Sequence, residues 1–127
     1  MRDSVSDTLL IAGTWADVDV LRSFFLGWNG EELELIKQLQ TANQVYLFSA
    51  SNLVLRRDYN RDEFRWSGDN GTWLISQNHQ ERVVDLLNGL LEANGAGHQY
   101  VEPDNSPVQI MVSKDEHYPL PSQLNED

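Results

Sequence analysis

Apolar residues near the start of the chain form one continuous run and then recur at helical spacing. The run at residues 8–12, closed by Gly13, predicts a short buried strand. Thr14 is a suitable N-cap for a following helix, and Asp17 three residues later favours the positive end of that helix. The apolar face of this first helix is expected to consist of Val18, Leu21, Phe25 and Trp28.

Two further helices are predicted from the same spacing. Asn29 and Glu32 form a capping pair before the first of them, whose apolar residues are Leu35, Ile36 and Leu39. Asn78 and Glu81 occupy capping-box positions before the second, which Gly95 ends. His79 then lies in the first turn, where we expect it to be exposed. The apolar face of this last helix consists of Val83, Val84, Leu87, Leu90 and Leu91.

Between these helices the apolar period changes to two, which predicts strands. The runs cover residues 45–48, 53–55, 63–67 and 72–76. Asn70-Gly71 is the strongest hairpin signal in the chain, so the third and fourth runs are expected to pair. That pairing would bring Trp66 near Trp73. Two final strands are predicted at 98–101 and 108–112.

The order of predicted elements is β-α-α-β-β-β-β-α-β-β. Antiparallel strands with helices on one face predict the α+β class, with a single mostly antiparallel sheet and about three helices. A chain of 127 residues is long enough to bury one substantial core, so we predict a single domain over residues 1–118. Residues 119–127, which contain Pro119 and Pro121, are expected to form an irregular tail.

Composition excludes several classes of function. The chain has no cysteine, which excludes disulfides, thiol catalysis and thiolate metal sites. A pI of about 4.5 argues against binding a nucleic-acid backbone, because phosphates are neutralised by basic surface. No apolar segment has the length of a signal peptide or a membrane span, which predicts a cytoplasmic protein without a membrane partner. No metal ligand set or cofactor motif is present, so no cofactor is expected.

The formal charge of −11 is unevenly distributed. Residues 44–82 have five basic and five acidic side chains, and four of the nine basic residues lie within ten positions, at Arg56, Arg57, Arg61 and Arg65. The acids interleaved with these arginines should cancel much of their field. Residues 83–127 have one lysine and eight acids. The uncompensated charge is therefore expected in the C-terminal third.

The C-terminal part of the chain resembles one known class of protein. The similar segments are the helix at 79–94, the strand segment Gly97-His-Gln-Tyr-Val-Glu102 and the segment Val108-Gln-Ile-Met-Val-Ser-Lys-Asp-Glu116. They resemble the C-terminal half of bacterial polymorphic-toxin immunity proteins. Members of that family are small, acidic, cytosolic α+β proteins that bind a cognate toxin. The resemblance implies a toxin-binding role.

The leading hypothesis is a non-enzymatic module that presents carboxylates to a basic protein partner, such as a toxin nuclease. The residues predicted to contact the partner are Glu102, Asp104, Asp115 and Glu116, with the aromatic residues Tyr100 and Trp66 beside them. One alternative is a small enzyme or anion-binding protein with a polar pocket formed by His98, Tyr100 and the arginine cluster. Another is an oligomeric structural domain, for example a homodimer that pairs its edge strands.

Overall fold

The computed structural model of the protein describes residues 8–41, 47–48, 52–67, 70–104, 106 and 108–116. Within these residues the helices are α1 (Trp15–Gly27), α2 (Leu35–Thr41) and α3 (Gln77–Glu92). The strands are β1 (Thr8–Gly13), β2 (Leu33–Glu34), β3 (Leu47–Phe48), β4 (Asn52–Arg57), β5 (Glu63–Ser67), β6 (Asn70–Ile75), β7 (Gly97–Tyr100) and β8 (Gln109–Lys114). None of the described helices is long and apolar enough to cross a membrane.

The strands form two four-stranded sheets, with the orders β3-β1-β8-β7 and β2-β4-β6-β5. We call them sheet A and sheet B. In each sheet the two central strands are parallel, and each edge strand is antiparallel to its neighbour. The predicted α+β class is confirmed, and most pairings are antiparallel. The division into two sheets was not predicted, because apolar periodicity does not specify which strands pair.

The helices do not share one face of one sheet. α1 and α3 pack against each other, α1 contacts β1 and β8, and α3 contacts β7, whereas α2 contacts β2 and β4. A single apolar core nevertheless joins both sheets. At its centre the fully buried ring of Trp73 lies edge-on to Phe25, Phe64 and His79, with centroids 5.7, 6.5 and 6.1 Å away. This aromatic contact connects sheet B to α1 and α3.

The start of α1 matches the sequence prediction, and the start of α2 does not. Thr14 and Asp17 form a reciprocal capping box, and the predicted apolar face of α1 is buried. Before α2, residues 33–34 pair with β4 as the short strand β2, so the helix begins at Leu35 instead of after Asn29. Its first turn is capped by Glu34, whose Oε2 accepts a hydrogen bond from the Lys37 N–H at 3.0 Å. The three predicted apolar residues of α2 are buried.

The predicted pairing of residues 63–67 with the following strand is confirmed, but its turn was misplaced. Ser67 pairs with Asn70, so Asn70 and Gly71 belong to β6 and not to the turn. A Cβ at Gly71 would lie 2.8 Å from Cζ of Phe64, which explains the glycine by packing. The strand register places Phe64 opposite Trp73 and Trp66 opposite Gly71, and the side chain of Trp66 lies outside the described part of the structure.

α3 begins earlier than predicted, and this changes the position of His79. The N-cap is Ser76, whose Oγ accepts a hydrogen bond from the His79 N–H at 3.1 Å, and not Asn78. The prediction of an exposed His79 is wrong, since only 6% of the residue is accessible to solvent. With Ser76 as the cap, the imidazole faces Trp73 in the core. The predicted apolar face of α3 packs in the core.

The last two strands were predicted with small errors in their bounds. β7 covers Gly97–Tyr100 and β8 covers Gln109–Lys114, and β8 pairs with both β7 and β1. The predicted strand at 45–48 is described only at β3, and the predicted tail at 119–127 lies outside the described residues.

Candidate functional site

The carboxylates predicted to contact a partner lie near opposite ends of α3, a helix about 24 Å long. Near its start, Asp104 forms an ion pair with Arg82 at 3.1 Å, and Glu102 Oε1 accepts a hydrogen bond from the Ile110 N–H at 2.9 Å. Near its end, Asp115 Oδ1 accepts a hydrogen bond from the N–H of Trp15 at 3.0 Å. The indole of Trp15 in turn donates to the carbonyl of Leu91 in α3. The predicted residues therefore do not form one patch.

Glu116 and Tyr100 belong to a small cluster on the β7 side of sheet A. Glu116 accepts a hydrogen bond from the Ser113 hydroxyl at 2.5 Å and lies 3.1 Å from His98 Nδ1. The His98 and Tyr100 rings meet edge to face at 5.7 Å. Trp66 lies on β5 in the other sheet. The structure thus places Trp66 and Tyr100 on different sheets.

All four arginines of the cluster form contacts within the protein, and two of them, Arg61 and Arg65, pair with the interleaved acids. Three arginines form ion pairs, namely Arg56 with Glu32 at 2.8 Å, Arg61 with Asp58 at 3.3 Å and Arg65 with Glu63 at 2.7 Å. The hydrogen bond from Arg65 lowers the pKa of the Glu63 carboxyl. Arg57 instead lies 4.8 Å above the Trp28 ring and donates to Gln80 Oε1 at 2.5 Å.

The polar pocket predicted for an enzyme is not assembled from these residues. His98 and Tyr100 lie on β7 in sheet A, whereas the arginines lie on and around β4 and β5 in sheet B. The contacts described for His98 and Tyr100 include none of the four arginines. Among the described residues, no group of three or more histidine or acidic side chains is arranged to hold a metal ion.

One face of α3 has a row of acids that sequence reasoning did not select. Glu81, Asp85 and Glu92 are four and seven residues apart, which places them on the same side of a helix. All three are exposed. Among the described residues, none of them forms an ion pair or a side-chain hydrogen bond. These three carboxylates are therefore open to an external cation.

Beside these acids an apolar depression runs between α1 and α3. Leu26 at the end of α1 is 63% exposed, and it lines a depression of about 320 Å³ with Val84, Glu81 and Asp85. A second depression of about 400 Å³ adjoins it at Leu26 and Glu81 and includes Tyr59, which is 83% exposed. We call this surface the acidic groove, defined by Leu26, Tyr59, Glu81, Val84 and Asp85.

A separate cleft of about 300 Å³ opens at the start of α3. We call it the α3 cleft, and its lining residues are Asp62, Asn78, His79, Arg82 and Asp104. Asp62 is held in place by Ser76, whose N–H and hydroxyl donate to its two oxygens at 2.6 and 3.0 Å. The cleft therefore has two carboxylates, one guanidinium and one buried imidazole on its walls.

His79 is fixed in the wall of this cleft by one ring nitrogen. Its Nε2 lies 3.0 Å from the carbonyl oxygen of Val101 and is assigned as the donor. Burial lowers the pKa of His79, so the neutral ring predominates near pH 7 and Nδ1 then keeps its lone pair. Nδ1 has no hydrogen-bond partner among the described residues.

A buried lysine lies at the other end of α3. Lys114 in β8 is 1% exposed, and its Nζ donates to the carbonyl oxygens of Leu90 at 2.8 Å and Ala93 at 2.6 Å. A cation at this position also stabilises the negative end of the helix dipole. Because this ammonium is inside the protein, the only lysine after residue 82 does not compensate the acids on the surface.

Neither the acidic groove nor the α3 cleft could be selected from residue order. The groove depends on how α1 packs against α3, although the spacing of Glu81, Asp85 and Glu92 is visible in the sequence. The cleft depends on the hydrogen bond between Asp62, which directly precedes β5, and Ser76, the N-cap of α3. No family model, curated protein or solved structure matches the chain, so similarity to known proteins adds nothing to these two sites.

Proposed function

We propose that this protein is a binding module that holds a basic protein partner in the acidic groove. The observation that supports this proposal is the row of exposed acids Glu81, Asp85 and Glu92, which form no ion pairs with other described residues. Two of them, Glu81 and Asp85, line a depression with the exposed side chain of Leu26. The carboxylates would attract and orient a cationic surface, which raises association rates. Leu26 and Tyr59 would supply apolar contact area, which charge alone does not provide.

We further propose that the partner is a toxin and that this chain acts as its immunity protein in the cytoplasm. The proposal follows from the resemblance of the C-terminal segments to immunity proteins and from the net charge of −11. A nuclease toxin has a cationic substrate-binding surface, because it must contact phosphates. An acidic partner can cover such a surface and exclude the nucleic acid.

The residues predicted from the sequence remain candidates for a second contact region. Each of these carboxylates already accepts a hydrogen bond or forms an ion pair inside the protein, namely Glu102, Asp104, Asp115 and Glu116. A partner would have to compete with those bonds. Glu81 and Asp85 have no such bonds to break. The acidic groove is therefore the first surface to test.

The test uses capture from the native host lysate, identification of the captured protein and measurement of its affinity after purification. The groove variant combines Glu81→Gln, Asp85→Asn and Glu92→Gln. A matched control combines Asp19→Asn, Glu32→Gln and Glu63→Gln, which removes the same charge from acids that form ion pairs with arginines. We expect a basic partner that binds at low salt, and a loss of affinity of at least about tenfold in the groove variant only.

Two results would overturn the proposal. One is the absence of any basic partner in the captured material, including capture of a second copy of this chain alone, which would favour the homodimer. The other is an affinity that falls equally in the groove variant and in the control, because that outcome would indicate nonspecific attraction to net charge. A Leu26→Ala variant adds a readout that is independent of charge, and it should also weaken binding.

A further inference from the structure

We infer that the α3 cleft is a receptor for a guanidinium or alkylammonium group, supplied by an arginine or lysine side chain of the partner. This inference rests on the proposed function only in taking a protein partner as the source of the cation. The preference of the cleft for a cation does not depend on that proposal. It assigns a role to residues on a different side of α3 from the acidic groove.

The charge on the cleft walls favours a cation over an anion. Asp62 and Asp104 contribute two carboxylates, and Arg82 contributes one guanidinium. His79 is neutral near pH 7 because burial disfavours its charged form. The walls therefore have a net charge of about −1, and phosphate or another anion would meet two carboxylates.

The hydrogen-bonding groups of the cleft also favour a guest that donates. Only 6% of His79 is accessible to solvent, and the residue lines the cleft. Its Nδ1 has no hydrogen-bond partner among the described residues. The bond from Nε2 to Val101 fixes the ring so that Nδ1 is an acceptor. The Ser76 N–H and hydroxyl each donate one hydrogen bond to Asp62, which leaves further lone pairs on that carboxylate. A guanidinium has five donors that can be shared among such acceptors.

The present ion pair in the cleft is weak enough to be replaced. The side chains of Arg82 and Asp104 are 52% and 78% exposed, and exposed pairs contribute about 0–1 kcal/mol. An incoming cation can therefore take the place of Arg82 on Asp104 at little cost. A volume of about 300 Å³ is sufficient for a guanidinium group and part of its aliphatic stem.

The cleft and the acidic groove use adjoining faces of the same helical turns. The cleft includes Asn78, His79 and Arg82, and the groove depressions include Gln80 and Glu81. A partner bound in the groove would thus lie beside the opening of the cleft. One arginine or lysine side chain of the partner that entered the α3 cleft would then fix how the partner is positioned along the groove.

The experiment titrates the protein with n-butylguanidinium and follows the imidazole ¹⁵N signals of His79 by NMR. We expect saturable shifts of the Nδ1 signal, with no saturable response to inorganic phosphate. Asp104→Asn should weaken binding at least threefold, and Asp62→Asn should weaken it more. Asp19→Asn is the matched control, because it removes one carboxylate from α1 and should leave the affinity unchanged.

Distinct outcomes separate this inference from the proposed function. Absence of a saturable His79 shift with n-butylguanidinium, or saturable binding of phosphate instead, overturns the cation site and leaves the groove proposal standing. If n-butylguanidinium binds but Asp104→Asn and Asp19→Asn weaken it equally, the site is also refuted. With the purified partner, the same His79 signal should shift, and an unchanged signal would show that the partner does not supply the cation. Asp104→Asn alters an exposed side chain, so the test does not depend on the folding of Asp62→Asn.

Discussion

A buried polar side chain lies at each end of α3, Lys114 at one and His79 at the other, and the two differ in how their polar atoms are hydrogen-bonded. At the C-terminal end, Lys114 donates to two carbonyl oxygens and is closed off from solvent. At the N-terminal end, His79 is one of the residues that line the α3 cleft, and Nε2 of its ring is bonded to the carbonyl oxygen of Val101. Both residues are buried to a similar degree.

Burial alone therefore does not separate structural polar residues from binding residues. Buried polar groups are almost always hydrogen-bonded, because an unsatisfied group costs free energy. Lys114 meets that requirement internally, so its role is to stabilise the helix end. His79 meets it with one nitrogen only, so its second nitrogen remains available to a ligand. Four predictions test this contrast.

The largest effect on stability is expected at the C-terminal end of α3, where Lys114 is buried. Lys114→Met removes the ammonium and leaves the carbonyls of Leu90 and Ala93 without their buried donor. We expect the free energy of unfolding to fall by about 3 kcal/mol in urea denaturation. Lys37→Met is the matched control, because Lys37 is exposed and its substitution should change stability by no more than about 0.5 kcal/mol. Equal losses in both variants would contradict the assigned role of Lys114.

A smaller loss of stability is expected when the N-cap of α3, Ser76, is replaced. Ser76→Ala removes the acceptor for the His79 N–H and the donor to Asp62, and should cost about 1–2 kcal/mol. Asn78→Ala changes the N-cap residue that was predicted from the sequence, and it should be nearly neutral. Urea denaturation of the two variants decides between the two N-cap positions. A larger loss in Asn78→Ala would mean that α3 begins later than described.

The third prediction concerns the pH dependence contributed by His79. Burial lowers its pKa in the folded protein below the value of 6.5 for the unfolded chain. As the pH falls, the unfolded state binds the proton before the folded state does. The contribution of His79 to stability is therefore present above about pH 6.5 and is lost as the pH falls towards the folded pKa. Urea denaturation should show this loss in the wild type.

His79→Gln is the comparison for that measurement. It should lower stability at every pH but remove the His79 part of the slope between about pH 7.5 and 5.5. The two proteins differ only at residue 79, so the contributions of all other groups cancel in the difference. An identical slope in the two proteins would show that His79 is not held in its neutral form.

The smallest effect on stability is expected from Asp104→Asn. The ion pair with Arg82 is exposed, so its loss should change the free energy of unfolding by about 0.5 kcal/mol or less. The same variant should still weaken n-butylguanidinium binding at least threefold. A large loss of stability would place Asp104 among the structural residues and remove the contrast between the two helix ends.

Local interactions of the fold could be predicted from the sequence, and non-local ones could not. The capping box of Thr14 and Asp17 lies within four consecutive residues, so its pattern was sufficient. Asn70-Gly71 gave a correct pairing with the wrong turn, because Gly71 is required by the distant side chains of Phe64 and Leu53. Apolar spacing also identified the buried faces of all three helices, since burial follows the helical period.

The sites depend on contacts between elements that are far apart in the chain. His79 was expected at the surface because the cap was placed at Asn78, whereas Asp62 and Ser76 fix the cap two residues earlier. Lys114 has the sequence appearance of a surface charge, and it is buried because its side chain extends from the end of β8 to the last carbonyls of α3. The positions of paired and unpaired acids likewise require the packed structure.

The pairing of β1 with β8 has a consequence for how the protein is made. Their register joins Thr8 to Gln109, whereas the centre of sheet B is complete once Ile75 has been synthesised. At about 5–20 residues per second, the ribosome needs several seconds to add the segment between Ile75 and Lys114. During that time β1, with the buried residues Leu9 and Ile11, can pair with β3 along one edge, but its other edge lacks β8. The nascent chain therefore presents an apolar strand with one open edge, and such open edges can pair with other chains and lead to aggregation.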